Sequence, residues 1–255
     1  MRGFAATLRG AFAEALTNRR AFGAQVALMF GNDLAWCAFW VLFFDRAGNL
    51  RGWDGTRALL LLSVFATSAG LTLGVFANVR HVGQMASDGR LDAVLALPVS
   101  PLPHLLVRQV RTVNLGDVLF GLGLFLVAGD PDPGRFGIYL VGSLASTGLM
   151  LGFLITAGSL AFFVGSGETG EAGFHALLLL SNYPADFFGG LTKLVLYTVI
   201  PAAFVTAVPA KLVDEFDPGL AALLLGASAA FLAAGWATFT FGLRRYSSGS
   251  VWTQA

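Results

Sequence analysis

The sequence predicts an all-α protein that crosses a membrane six times. Three observations carry that prediction. Hydrophobic residues make up 56% of the chain and charged residues only 12%, about half the charged share of a soluble domain. Several apolar runs reach the ~20 residues that a helix needs to cross a hydrocarbon core. Runs such as Leu59 to Leu62 break the alternation that a membrane β-barrel needs over segments of about 10 residues. The net charge of +1 points to no nucleic-acid partner. Cys37 is the only cysteine, so no intrachain disulfide can form and no thiolate metal cluster is implied. Residues 1–255 read as a single transmembrane domain.

Phe4, Leu8, Phe12 and Leu16 recur at helical spacing, with Arg9, Glu14, Arg19 and Arg20 off that stripe. Residues 1–21 are therefore expected to form an amphipathic interfacial helix. The spans are expected near 22–44, 58–79, 112–128, 136–164 and 220–243, with a fifth crossing starting near Asp186. Residues 175–208 are too long for one crossing, because a helix of that length runs about 50 Å. Asn182-Tyr183-Pro184 is the expected break, since proline disfavours helix at the residue before it. Glu171 to Tyr183 then reads as an interfacial or partly embedded piece. Pro201 and Pro209 should bend the element after it.

Orientation follows from basic residues. Arg2, Arg9, Arg19 and Arg20 precede the first span, Arg80, Arg90, Arg108 and Arg111 lie in the second connection, and Arg244 and Arg245 close the last span. With six crossings these share one side, against Arg46, Arg51, Arg57, Arg135 and Lys211 on the other. Both termini and the connection 80–111 are expected in the cytosol. Arg19-Arg20 reads as flanking charge rather than an export signal, because the following span exceeds a signal h-region.

The second connection carries more than a turn. Asp88 is a plausible N-cap, and Leu91, Val94 and Leu95 fall at i, i+3 and i+4 on one face. Arg90 and Asp92 stay toward solvent, and Pro98, Pro101 and Pro103 forbid a continuing helix. That is either an interfacial helix resting on lipid or a coupling helix docked on another protein.

Other features weigh less. Gly165 to Gly170 spells G-x-G-x-x-G, but no strand precedes it, so it reads as a turn rather than a dinucleotide site. No phosphate loop of the form G-x-x-x-x-G-K followed by Ser or Thr occurs, and His81, His104 and His175 are scattered. Gly70 with Gly74, and Gly148 with Gly152, allow close helix packing. Asp33 and Lys193 sit within spans, where a charge costs about 2.5 kcal/mol or more. They form an internal pair or a polar patch on a transport path, or else each lies nearer an interface.

Taken together, these stretches resemble a permease subunit of an ABC type-2 exporter, in a branch long described only as an uncharacterised ABC transport permease. The resemblance rests on Gly52-Trp53, on Gly89-Arg90-Leu91-Asp92-Ala93-Val94-Leu95 leading to Pro98 and Pro101-Leu102, on Tyr183-Pro184 with Ile200 to Val205 and Pro209-Ala210, and on Arg245 to Gly249. Leu97 stands where that family tends to carry arginine. The resemblance implies a six-helix half-transporter paired with a second permease, identical or homologous, and with two cytosolic ABC ATPase subunits. Those partners would bind ATP and Mg, and this chain would hold no cofactor and perform no chemistry. Residues 1–21 would be the connecting helix and residues 80–111 the coupling segment. The region 201–219 would be the outer re-entrant element, with Pro201, Phe204 and Pro209 as gate candidates. The substrate would be a hydrophobic or amphiphilic molecule such as a drug, lipid or lipid-linked glycan, exported across a bacterial cell membrane. An ATP-independent carrier or channel, or a lipid-modifying membrane enzyme, is the alternative.

Overall fold

The computed structural model describes residues 19–246 and, ahead of them, Ala6, Arg9, Gly10, Ala13 and Thr17, which are helical and exposed. The expected stripe of Phe4, Leu8, Phe12 and Leu16 lies outside the described residues, as does the tail motif beyond Tyr246.

The described chain is helical, with one isolated bridge between Leu50 and Trp53. Helix α1 is Arg19–Ala47 and α2 is Gly55–Val75. A connection with three short helices comes next, α3 (Val82–Ser87), α4 (Asp92–Leu95) and α5 (Pro101–Val107). Then come α6 (Leu115–Ala128), α7 (Pro133–Ser159), α8 (Ala161–Val164) and α9 (Glu168–Ser181). The last three are α10 (Gly190–Thr198), α11 (Val208–Asp214) and α12 (Pro218–Leu243). Four helical stretches are long and apolar enough to cross a membrane on their own: α1, α2, α7 with α8, and α12.

The long helices start where side chains can satisfy their first N–H groups. Asp54 caps α2 by accepting from the Arg57 amide. Asp132-Pro133-Gly134 and Asp217-Pro218-Gly219 repeat one device. Each aspartate accepts from two amides of the first turn, and proline takes a position that needs no donor.

Two ends of the bundle can be told apart. One carries a cluster around Asp186, the other the connection 76–111. Contacts assign the long segments to these ends. Arg51, after α1, donates to the Asp186 and Phe187 carbonyls at 2.9 and 3.1 Å. The Arg111 amide, before α6, donates to the Gly74 carbonyl at the end of α2 at 2.8 Å. Arg135, in the first turn of α7, lies 3.9 Å from Asp214, and Tyr246, after α12, reaches Asp92 at 2.9 Å.

The same reasoning corrects the expected fifth crossing. Glu171, in the first turn of α9, meets Arg80 at 3.3 Å. Tyr183, just past α9, packs on Trp36 and Trp40, whose helix ends at the other side. So α9 crosses the bundle. Its 14 residues span only ~21 Å, and the irregular 182–189 connection completes the distance. A length test on the apolar run 175–208 missed this because it assumed the crossing to be one full-length helix.

The two helical pieces after that connection do not cross. Residues 190–198 and 203–214 form a pair bent by 70°. Asp186, before the pair, accepts from Lys193 at 2.7 Å and from Lys211, near its far end, at 2.5 Å. Both feet therefore stand at the same end, and the pair is re-entrant. It begins at Gly190, earlier than the expected 201. Pro201 sits at the bend, and a wide π turn over Ala203–Ala207 precedes Pro209, which cannot donate to the carbonyl four residues back. Residues 201–210 are all buried, so these disturbed backbone groups face protein rather than lipid.

Glycine sets the closest helix approaches. A side-chain carbon on Gly70 would lie 2.8 Å from the Asn114 carbonyl oxygen and the Val118 nitrogen, and one on Gly152 would strike the Phe231 backbone. Both G-x-x-x-G patterns thus serve packing within the chain, α2 on α6 and α7 on α12. Between α2 and α7 runs a hydroxyl seam. Tyr139, fully buried, donates to the Ser63 carbonyl at 3.1 Å and pairs with Thr67 at 2.5 Å, while Ser68 donates to the Ser143 carbonyl at 3.1 Å.

Candidate functional site

The connection 76–111 is folded onto the bundle. Asn78, buried, donates its amide to the Leu105 carbonyl at 2.9 Å. Arg80 lies over the Phe174 ring at 4.7 Å and is ion-paired with Glu171, joining the connection to α9. Asp88 ends α3, its amide donating to the Gln84 carbonyl, and Gly89 turns the chain with φ +73°. Glycine takes that backbone without strain.

The expected N-cap and the expected apolar face both need correction. No side chain caps α4, and Asp88 belongs to the helix before it. Leu91 and Val94 are 1% and 0% exposed, packed in the core with Val82, Ala86, Leu102 and Leu105. Leu95 is 38% exposed and points away from them. The i, i+3 pair faces the protein's own bundle because α4 is one turn long and α5 folds back beneath it. The outward surface is instead Leu95, Leu97 and Val99, all exposed, with Pro98 among them.

The polar residues of this segment divide too. Arg90 lies 3.8 Å from Asp88, both largely exposed, a pairing that contributes little. Asp92 accepts from the Tyr246 hydroxyl. Burial, with the Asp92 carboxylate beside it, pushes Tyr246 up to about 12, so the phenol keeps its proton and stays the donor. The end of the last long helix is thereby tied to α4, a link that sequence spacing could not show across 154 residues.

Asp33 and Lys193 do not meet. Lys193 belongs to the Asp186 cluster, together with Lys211 and the Trp53 indole at 3.0 Å. Asp33 lines a groove between α1, α2, α6 and α9, and so does Asp117, which sequence reading overlooked. The signal was present: Asp117 is a lone charge in the apolar run Leu115 to Ala128, as exceptional as Asp33. Of the gate candidates, Pro201, Phe204 and Pro209 are buried in the re-entrant pair. Phe204 packs edge-on to Tyr197 at 5.4 Å, and Pro209 lies against Gly142. Of the Gly165 to Gly170 stretch, the first three residues form a tight turn, with Gly165 at φ +77° and Gly167 against the Gln84 backbone, and Glu168 to Gly170 begin α9.

The family model described as ABC-2 family transporter protein matches residues 30–250. The chain belongs to the ABC-2 transporter family. As an ABC-2 transporter protein it is a multi-pass membrane permease that associates with ABC ATPase partners. No curated protein and no solved structure matches the chain. The matched region takes in the whole connection, the re-entrant pair and all of the groove lining but Met29 in this ABC-2 permease.

Proposed function

We propose that this ABC-2 permease is the membrane half of an ATP-driven exporter of a hydrophobic or amphiphilic molecule. It pairs with a second permease, a copy or a paralogue, and with two ATPase subunits that bind ATP and Mg. The observation that carries the reading is the strip Leu95, Leu97 and Val99, exposed on a segment whose other side, Leu91 and Val94, is locked into the bundle core. An apolar strip gains nothing from water, and each side chain buried in an ATPase cleft contributes about 1.5–3 kcal/mol. The rigid inner side would carry a push on the strip to α2, α7 and α9.

Arginines favour the same end. Arg80, Arg90, Arg108, Arg111, Arg244 and Arg245 gather there, which supports reading that end and both termini as cytoplasmic in a bacterial cell membrane. At the opposite end Arg57 and Arg135 share Asp214, and Lys193 and Lys211 share Asp186. There the re-entrant pair, with Pro201, Phe204 and Pro209, would close the exit. Co-purification with substrate-stimulated ATP hydrolysis tests the reading. Leu95→Asp with Leu97→Asp should leave the chain inserted and release the ATPase or silence stimulation. A double variant that keeps its ATPase and transports normally overturns it.

A further inference from the structure

The groove between α1, α2, α6 and α9 encloses about 350 Å³. Two carboxylates line it, Asp33 from α1 and Asp117 from α6, and no lysine or arginine is among the described residues around it. Asp117 is 6% exposed, and its Oδ1 has no hydrogen-bond partner. The Oδ2 of Asp33 is likewise buried and unpartnered, while its Oδ1 meets only the Asn32 amide, at 3.5 Å. Buried polar atoms are almost always satisfied, and a buried carboxylate is met either by a proton or by a cation. None of the described residues lining the groove supplies that cation. His175 stands in the same lining, but it is largely exposed and turned to Glu171 at 3.2 Å.

The rest of the wall says which cation fits. Trp36, Phe65 and Phe120 present aromatic rings, and Leu62, Ala66, Ala69 and Leu178 extend an apolar track beside them. Aromatic faces attract organic ammonium groups, most strongly where water is excluded. A hard inorganic ion would instead need several oxygen ligands around it.

We propose that this groove binds a cationic amphiphile, its ammonium held by Asp33 and Asp117 among the aromatic rings and its tail along the apolar track. This rests on the permease reading and names the substrate class for it.

The test uses the full chain with its ATPase in lipid nanodiscs, corrected with empty nanodiscs. Equilibrium dialysis compares dodecyltrimethylammonium with dodecyldimethylamine oxide, which has the same tail and a headgroup of similar size without net charge. The unaltered chain should prefer the ammonium by at least about tenfold. Asp33→Asn and Asp117→Asn should each erode that preference, and the double variant should abolish it. Equal binding of the two probes by the unaltered chain overturns the proposal, and that comparison needs no variant to fold. So does a folded double variant that keeps the preference. ATPase co-purification, read on the same preparations, separates the two ideas. An ATPase retained while the preference is absent removes only the cation site. A preference retained with no ATPase bound supports the site and removes the exporter.

Discussion

Lys211 places its ammonium on the carboxylate of Asp186, twenty-five residues earlier in the chain. That one contact closes the re-entrant pair on itself. Lys193 and the Trp53 indole share the same carboxylate, so α10, α11 and the turn ahead of α2 meet at a single side chain.

The cluster predicts an acid-sensitive fold. Burial pushes Asp186 up, but Lys193, Lys211 and Trp53 together hold it well below the ordinary carboxylate range. A carboxylate depressed in the folded state contributes its stability above the unfolded value, about 4, and loses it as pH falls toward the folded one. The thermal midpoint should therefore hold from neutral pH to about 5 and fall below about 4. Asp186→Asn should lower the midpoint at pH 7 by about 4–8 °C and flatten the acid limb. Thermal melts of both chains across pH check this, and parallel acid limbs would place the sensitivity elsewhere.

Glycine substitutions should split by position. Gly70→Ala and Gly152→Ala force a carbon into neighbouring backbone, costing about 1–3 kcal/mol. Gly123→Ala and Gly226→Ala meet nothing within 4 Å in helices of the same bundle. Those should be neutral or stabilising by up to about 1 kcal/mol. Resistance to denaturant of the four variants reads the difference.

Within the connection, Leu91→Ala and Leu95→Ala should fail differently. Leu91 is a core side chain, so its truncation should cost about 2–5 kcal/mol. Leu95→Ala should change stability by no more than about 0.5 kcal/mol and weaken ATPase retention. Melting midpoints together with pull-down yields distinguish the two. Equal destabilisation would mean that Leu95 is packed as Leu91 is.

Charge removals at Asp33 and Lys193 should be independent. The two residues belong to different sites, so the effects of D33N and K193M on folding yield should add to within about 0.5 kcal/mol in a double-variant cycle. A larger coupling would bring them into one network.

Hydropathy and length made the crossings legible, because the bilayer fixes how much apolar helix a span needs. The Asp-Pro starts of α7 and α12 were not read as caps, although the orphan N–H groups of a first turn give that pair a local reason. The proline bend was legible at Pro201 and Pro209. The crossing by α9 was not, since that helix opens with Glu168 and Glu171 and the Tyr183-Pro184 break after it put the expected crossing on the wrong side of the proline. In the connection, spacing placed Leu91, Val94 and Leu95 on one face, yet α5 decides which of them is covered, and that is a tertiary fact. Asp33 stood out as a charge in an apolar run, but only the packing of α1 on α6 shows that it shares a groove with Asp117. Lys193 was read as deep because its neighbours in sequence are apolar, whereas its helix is a limb of the re-entrant pair.

The hydroxyl seam limits how this protein can move. Tyr139 is sealed between α2 and α7 with its phenol committed to Ser63 and Thr67. Sliding one helix past the other by a turn, about 5.4 Å, would leave that phenol facing carbon, with Ser68 cut off from Ser143. The glycine contacts bolt α6 to α2 and α12 to α7 in the same fashion. These four helices therefore behave as a stator. Any passage through it would have to open among the pieces mounted around it: α1, whose surface is mostly exposed, the short α9, and the bend at Val199 to Ala202.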